Sequence, residues 1–148
     1  MQQNKKRLEE MWARQRISHK DIDYNLWNKQ RISIQKMSSM TRSCLFTVDV
    51  VKGCYDFASA YFTDMVGYKS SCIKRIREYG DLLEERIHPD DRQQMLEQQI
   101  KHSHFIYSLP AENRNDYRTM YQFRMLNRNQ QYIQVTSRQQ VLRTDRND

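Results

Sequence analysis

The stretch Leu82 to Asp91, LLEERIHPDD, constrains the fold more than any other, because it ends one helix and opens the next. Leu82, Leu83 and Ile87 set an apolar stripe that His88-Pro89 interrupts, since the residue before a proline is biased away from the right-handed helical region. A new helix is predicted from Pro89. Proline suits the first helical position, where its missing N–H would have no partner anyway, and Asp90 and Asp91 place negative charge beside the positive end of the helix dipole. Asp91, third in the helix, is expected to accept from free backbone N–H groups there. Leu96, Ile100 and His104 follow along one line, the helix decays near Ser108-Leu109-Pro110, and AENRND reads as a loop.

On either side of this helix the hydrophobic period changes to two, which marks strands. From Ser43, the residues Cys44, Phe46, Val48 and Val50 share one face, and Leu45, Thr47, Asp49 and Val51 the other. Lys52-Gly53 supplies a turn, and Tyr55 to Ala58 completes a hairpin. Tyr61, Phe62, Met65 and Val66 then have helical spacing, and Gly67 is suited to end that helix in the left-handed conformation. Residues 69 to 87 read as a helical connector with Ile73, Ile76 and Leu83 facing in. Further on, Tyr117, Thr119, Tyr121, Phe123 and Met125 alternate with Arg118, Met120, Gln122 and Arg124. The turn Asn127 to Gln130 has glutamine where glycine would help, so Asn129 is expected to take the left-handed position or the loop to widen. The last strand, Tyr132 to Arg143, turns Ile133, Val135 and Val141 inward.

The first 42 residues form a helical leader to a domain over 43–148. Leu8, Met11 and Trp12 lie on one stripe of a helix over 4–16, and Ser18 to Asp21 has the form of a capping box for a second helix from about residue 19 into the 30s. Its apolar positions are Ile22, Leu26, Trp27, Ile34 and Met37, and MSSMTR (37–42) reads as a linker. A leader that is polar overall with a narrow apolar stripe packs either onto its own domain or onto a second copy, and Trp27 is too large to leave in water. The chain has 148 residues, and its 38 % hydrophobic and 11 % aromatic content is enough for one core despite a mean hydropathy of -0.99. Net charge is +7. The basic residues from Lys5 to Arg42 read as a solvated helix face, since no helix-turn-helix, zinc-finger or RNA-binding strand motif lies among them. Cys44, Cys54 and Cys72 are odd in number without C-x-x-C spacing, and read as reduced thiols. No signal-peptide run and no stretch of ~20 apolar residues occurs. The expectation is a cytoplasmic protein without membrane contact.

An apolar helix followed by IHPDD, with Gly67-Tyr68 upstream, resembles the PAS family of sensor domains. The order of elements is similar too: strand CLFTVDV, turn VKGC, strand YDFAS, helix AYFTDMVGY, connector, the Pro89 helix, then two long strands. The resemblance covers residues 43 to 148 and implies an α+β fold, an antiparallel sheet covered on one face by short helices. In the family that sheet has five strands in the spatial order 2-1-5-4-3. Four are legible here, and the absent one is the last, which would lie between the first strand and the Tyr132 strand. The domain is therefore expected to be cut short before its last strand, or the gap to be filled by a neighbour or by the leader, because an open edge invites pairing.

What the resemblance implies for chemistry can be tested position by position. Heme-binding relatives place a histidine about one turn into the helix opened by Pro89, and Met95 stands there. Flavin-binding relatives carry N-C-R-F-L-Q, which SSCIKR around Cys72 does not match. Neither cofactor is expected, which leaves a small organic ligand or a filled core. Phe46, Val48, Phe57, Phe62, Met65, Ile87, Met95, Tyr121, Phe123, Ile133 and Val135 would line it, and close packing makes the filled core the first expectation. Tyr121 is the informative member, because a buried phenol hydroxyl needs a partner. No enzymatic motif is present. Asp90 and Asp91 point about 100 degrees apart on a helix, so they do not make a carboxylate pair. His19, His88, His102 and His104 have no metal-ligand spacing.

These readings converge on a sensing and dimerisation module of a regulator. The resemblance is to bacterial LuxR-type transcriptional regulators, in which a separate domain contacts DNA; since PAS proteins often pair through such N-terminal helices, a homodimer through the leader is expected. Two other classes stay open. One is the input module of a sensor histidine kinase or cyclic-dinucleotide enzyme. The other is a basic nucleic-acid-binding α+β protein that uses Arg118, Arg124 and Arg138 on the outer sheet face.

Overall fold

The computed structural model describes Lys6, Glu10 and residues 22–52, 54–68 and 85–142. The readings made above on the remainder of residues 1–21, on Gly53, on 69–84 and on 143–148 lie outside these residues. Lys6 and Glu10 are both helical and form an exposed ion pair one turn apart.

Helix α1 (Tyr24–Thr41) starts later than the capping-box reading placed it. Asp23 is the cap, its carboxylate accepting from the backbone N–H groups of Asn25 and Leu26 at 3.0 and 3.1 Å. The helix also runs through the stretch read as a linker. MSSMTR contains no proline or glycine to stop it, and the hydroxyls of Ser39 and Thr41 fold back onto the carbonyls of Gln35 and Met37 instead of competing for the chain's direction. Arg42 ends the helix in the left-handed region, φ 51°.

The hairpin that follows pairs β1 (Phe46–Asp49) with β2 (Cys54–Ala58) in antiparallel register, Phe46 opposite Ala58 and Thr47 opposite Phe57. Past that point Val48 faces Tyr55, so Asp56 is an extra residue bulged out of β2. Asp49 closes the turn by accepting from the N–H groups of Val51 and Lys52, both at 3.0 Å. One side of α1 is fixed to this hairpin. Trp27 Nε1 donates to Asp56 Oδ2 at 2.8 Å, Tyr24 donates to Asp49, and the buried Ser38 hydroxyl donates to the Ser43 carbonyl. Ile32, Met37 and Met40 stand exposed on α1.

Ser59 caps α2 (Ala60–Val66) through its hydroxyl, which accepts from Phe62 N–H. Gly67 ends the helix at φ 73°, with its own N–H on the Asp64 carbonyl and that of Tyr68 on the Thr63 carbonyl. This is the two-bond left-handed helix ending in which glycine is favoured. A Cβ at Gly67 would also lie 3.1 Å from Arg128 Cα, because Arg128 N–H is bonded to the Met65 carbonyl at 2.7 Å. Gly67→Ala is therefore expected to lower stability by about 1–2 kcal/mol in chemical denaturation. An unchanged midpoint would mean that the turn carrying Arg128 does not rest on α2.

Ile87 forms an isolated antiparallel bridge with Met125, flanked by bonds from His88 N–H to the Arg124 carbonyl and from Leu126 N–H to the Arg86 carbonyl. The chain then enters α3 (Pro89–Ser108), with Pro89 at the helix start and Asp90 and Asp91 in its first turn, as predicted. AENRND is ordered as a 3-10 helix (Ala111–Asp116) and not as an irregular loop; its N-terminal residues follow Pro110, and Arg114 ties it back to the Leu109 carbonyl. Next come β3 (Arg118–Leu126) and β4 (Tyr132–Gln140). In the turn between them Gln130, not Asn129, takes the left-handed position, φ 60°. Asn127 makes this tolerable, since its side-chain oxygen accepts from both Asn129 and Gln131 N–H and its own N–H bonds the Gln131 carbonyl.

The protein is thus α+β, with two small two-stranded sheets, β1-β2 and β3-β4. The single five-stranded sheet of the resemblance is not found among the described residues. The chain divides into two compact units, Met1–Arg16, Ile87–Met125 and Tyr132–Arg143 in one, and Ile17–Arg86, Leu126–Gln131 and Thr144–Asp148 in the other. No helix among the described residues is long and apolar enough to cross a membrane.

Candidate functional site

The eleven residues singled out by pattern fall in both units. In the hairpin unit, strand pairing decides which of them meet, because cross-strand partners share a face. Phe46, Val48 and Tyr55 lie on one face. The Phe46 ring meets Tyr55 edge-on at 5.7 Å and Phe62 of α2 at 5.3 Å. Phe57 does not join them. The bulge at Asp56 resets the alternation, so Phe57 shares the opposite face with Thr47 and with Asp49, where α1 is bonded. Tyr55, almost fully buried, takes the place expected of Phe57. Met65 is half-buried, and its sulfur lies 3.9 Å from the Cys44 thiol. Val66, at the end of α2, is fully buried and was not singled out. Burial pushes the Cys44 and Cys54 thiols up, so neither is primed as a nucleophile.

In the α3 unit, the alternation predicted for β3 is realised. Tyr121, Phe123 and Met125 are buried, joined by Ile87, Ile100 and Ile106, while Tyr117 at the strand's start is exposed. Met95 of α3 and Ile133 and Val135 of β4 are half-buried. The Tyr121 ring packs against His102 at 5.1 Å. Burial pushes the Tyr121 phenol up, against a smaller opposing effect of the neighbouring Thr119 side chain. His102 belongs to this apolar layer, with its Nδ1 buried and without a hydrogen-bond partner. Spacing alone treated it as a rejected metal ligand; its position two residues after Ile100 gave no signal of the contact. Among the described residues no group of three or more histidine, cysteine, aspartate or glutamate side chains could hold a metal ion.

The segment His88 to Asp91 is organised differently from the capping expected of it. His88 is the helix cap, its Nδ1 accepting from Asp90 N–H at 3.3 Å while its ring rests 4.5 Å from that of Tyr132. Asp91 turns away from the helix end and takes three bonds from Arg124: the backbone N–H at 2.7 Å, Nε at 3.0 Å and Nη2 at 2.6 Å. The guanidinium and the strand N–H hold the Asp91 carboxyl well below its usual range, at about 2. Arg124 is engaged there through Nε and Nη2. Of the three arginines proposed for a nucleic-acid face, Arg118 donates to Gln140 and Arg138 stands exposed on β4. Upstream, Arg86 lies over the Tyr68 ring at 4.8 Å. Thus Gly67, Tyr68, His88, Pro89, Asp90 and Asp91 serve the local geometry of the fold, as helix ends, cap and ion pair.

No protein-family model matches this chain, and no curated protein matches it.

Proposed function

We propose that this chain is a PAS-type sensing and pairing module of a cytoplasmic regulator, with contact to DNA left to a separate domain. The observation that carries the reading is strand partnership. In the order 2-1-5-4-3, the first strand neighbours the second and the fourth neighbours the third; the pairings found are β1-β2 and β3-β4. Hairpins joined in any other order would not fit. The proline-started helix, followed by two long strands, keeps the order of elements that the resemblance implies. Sensing would rest on the apolar faces of Phe46 and Phe62 and of Tyr121 and Phe123, and a small organic ligand would act only by binding one arrangement of the fold better than another. Trp27, which needs a partner either on its own domain or on a second copy, finds one within the chain on Asp56, so pairing of copies does not depend on it.

Native mass spectrometry of the purified chain tests the proposal. The expected result is a dimer that carries a small-molecule mass released on denaturation. A bare monomer would leave the module with neither of its two assigned roles.

A further inference from the structure

Two sulfur atoms stand side by side where the chain enters β1: Cys44 Sγ lies 3.9 Å from Sδ of Met65 on α2. One side chain fixes both positions. Ser59, the cap of α2, accepts from Leu45 N–H at 3.0 Å and donates its hydroxyl to the Ser43 carbonyl at 3.1 Å, while its own N–H bonds the Leu45 carbonyl. The residues on both sides of Cys44 are thus tied to the helix that carries Met65, and the Met65 carbonyl is held in turn by Arg128 N–H. Cys44 is exposed and Met65 half-buried, so the pair is open to solvent through the thiol.

Thiolate and thioether are soft donors, the combination that selects Cu(I) over harder divalent ions. We propose that Cys44 and Met65 are the two protein ligands of a Cu(I) site. A metal ion ~2.3 Å from each sulfur, a typical metal–thiolate length, would see sulfurs 3.9 Å apart at an angle of about 115°. That is close to a trigonal arrangement, with one position left for an exchangeable ligand, and neither sulfur has to move to reach it. Burial keeps the Cys44 proton in place at neutral pH, and binding replaces it, since a coordinating thiol is deprotonated outright. The S–H bond breaks, a Cu–S bond forms and the proton passes to solvent. No electron is transferred. Zinc does not suit the pair, because structural zinc takes four protein ligands and among the described residues no cluster of three histidine, cysteine, aspartate or glutamate side chains exists. The site does not depend on the strand order that carries the sensing reading, and its occupant differs in chemistry from an organic ligand.

Anaerobic titration of the full chain with Cu(I), competed with bathocuproine disulfonate, tests the site. The wild type is expected to retain copper against the competitor. Cys44→Ser, at an exposed position, is expected to fold normally by circular dichroism and to lose that copper. Met65→Leu conserves the volume of the side chain and removes its sulfur, so it is expected to fold as well. It should bind on the order of 10–100-fold more weakly, at least what losing a supporting partner of a metal costs. Cys54→Ser and Cys72→Ser are expected to bind as the wild type does. Copper held as well by Met65→Leu or by Cys44→Ser as by the wild type overturns the paired site. So does a wild-type chain that yields all its copper to the competitor, or copper lost in Cys54→Ser or Cys72→Ser.

Discussion

Ile87→Ala is expected to destabilise the protein by about 2–5 kcal/mol, toward the upper part of what large-to-small core substitutions cost. Ile87 is only 1 % exposed and its bridge partner Met125 only 2 %. The backbone around it is held on both sides, by His88 N–H on the Arg124 carbonyl and by Leu126 N–H on the Arg86 carbonyl, at 2.9 and 2.8 Å. A cavity opened at this position has little freedom to collapse, and the cost of such a change grows with the volume that stays empty. Ile32→Ala is the control. That side chain is 52 % exposed on α1, and its removal is expected to shift stability by no more than about 0.5 kcal/mol. Urea denaturation followed by circular dichroism reads both. A loss under about 1 kcal/mol for Ile87→Ala would show that the side chain is not packed where the chain passes from its bridge with β3 into α3.

The parts of this fold legible in the sequence are those whose cause is local. Pro89 dictates a helix start from its own ring geometry, Gly67 a helix end from its lack of a Cβ, and the alternation of Tyr121, Phe123 and Met125 follows from strand pleating. What was not legible depends on residues distant in the chain. Asp91 looked like a helix cap because the first helical turn offers it free N–H groups; nothing nearby signals that Arg124, 33 residues on, would present three donors at once. Phe57 is expected to line one core together with Phe46, and it does not, because Asp56 is bulged out of β2 and Phe57 shares the opposite face with Thr47. MSSMTR reads as a linker yet continues the helix: the Ser39 and Thr41 hydroxyls are satisfied by the helix's own carbonyls, and Ser38 reaches the Ser43 carbonyl. For the candidate site, the identity of the apolar side chains was readable and their grouping was not, since grouping depends on register.

Asp91→Asn is expected to weaken the protein at about pH 7 and to remove most of one acid transition. Arg124 holds the folded carboxyl at about 2 instead of the usual 3.8, so the folded state favours the ionised form more than the unfolded chain does. That contribution is complete above the unfolded value and is lost as pH falls from about 4 to about 2. Asparagine keeps an oxygen for the Arg124 backbone N–H but turns an NH₂ group toward the guanidinium, donor against donor. The difference in melting temperature between wild type and Asp91→Asn is therefore expected to be largest near neutrality and to shrink steadily below about pH 4. Arg124→Gln should behave in the same way, and the double substitution should add little to either single one, because both remove the same pair. With Asp91 21 % and Arg124 41 % exposed, added salt should narrow the gap as well. A gap that stays constant from neutral to acid pH would assign the effect of the substitution to shape instead of charge. It would also remove the Asp91–Arg124 pair as the device that fixes the start of α3 to β3.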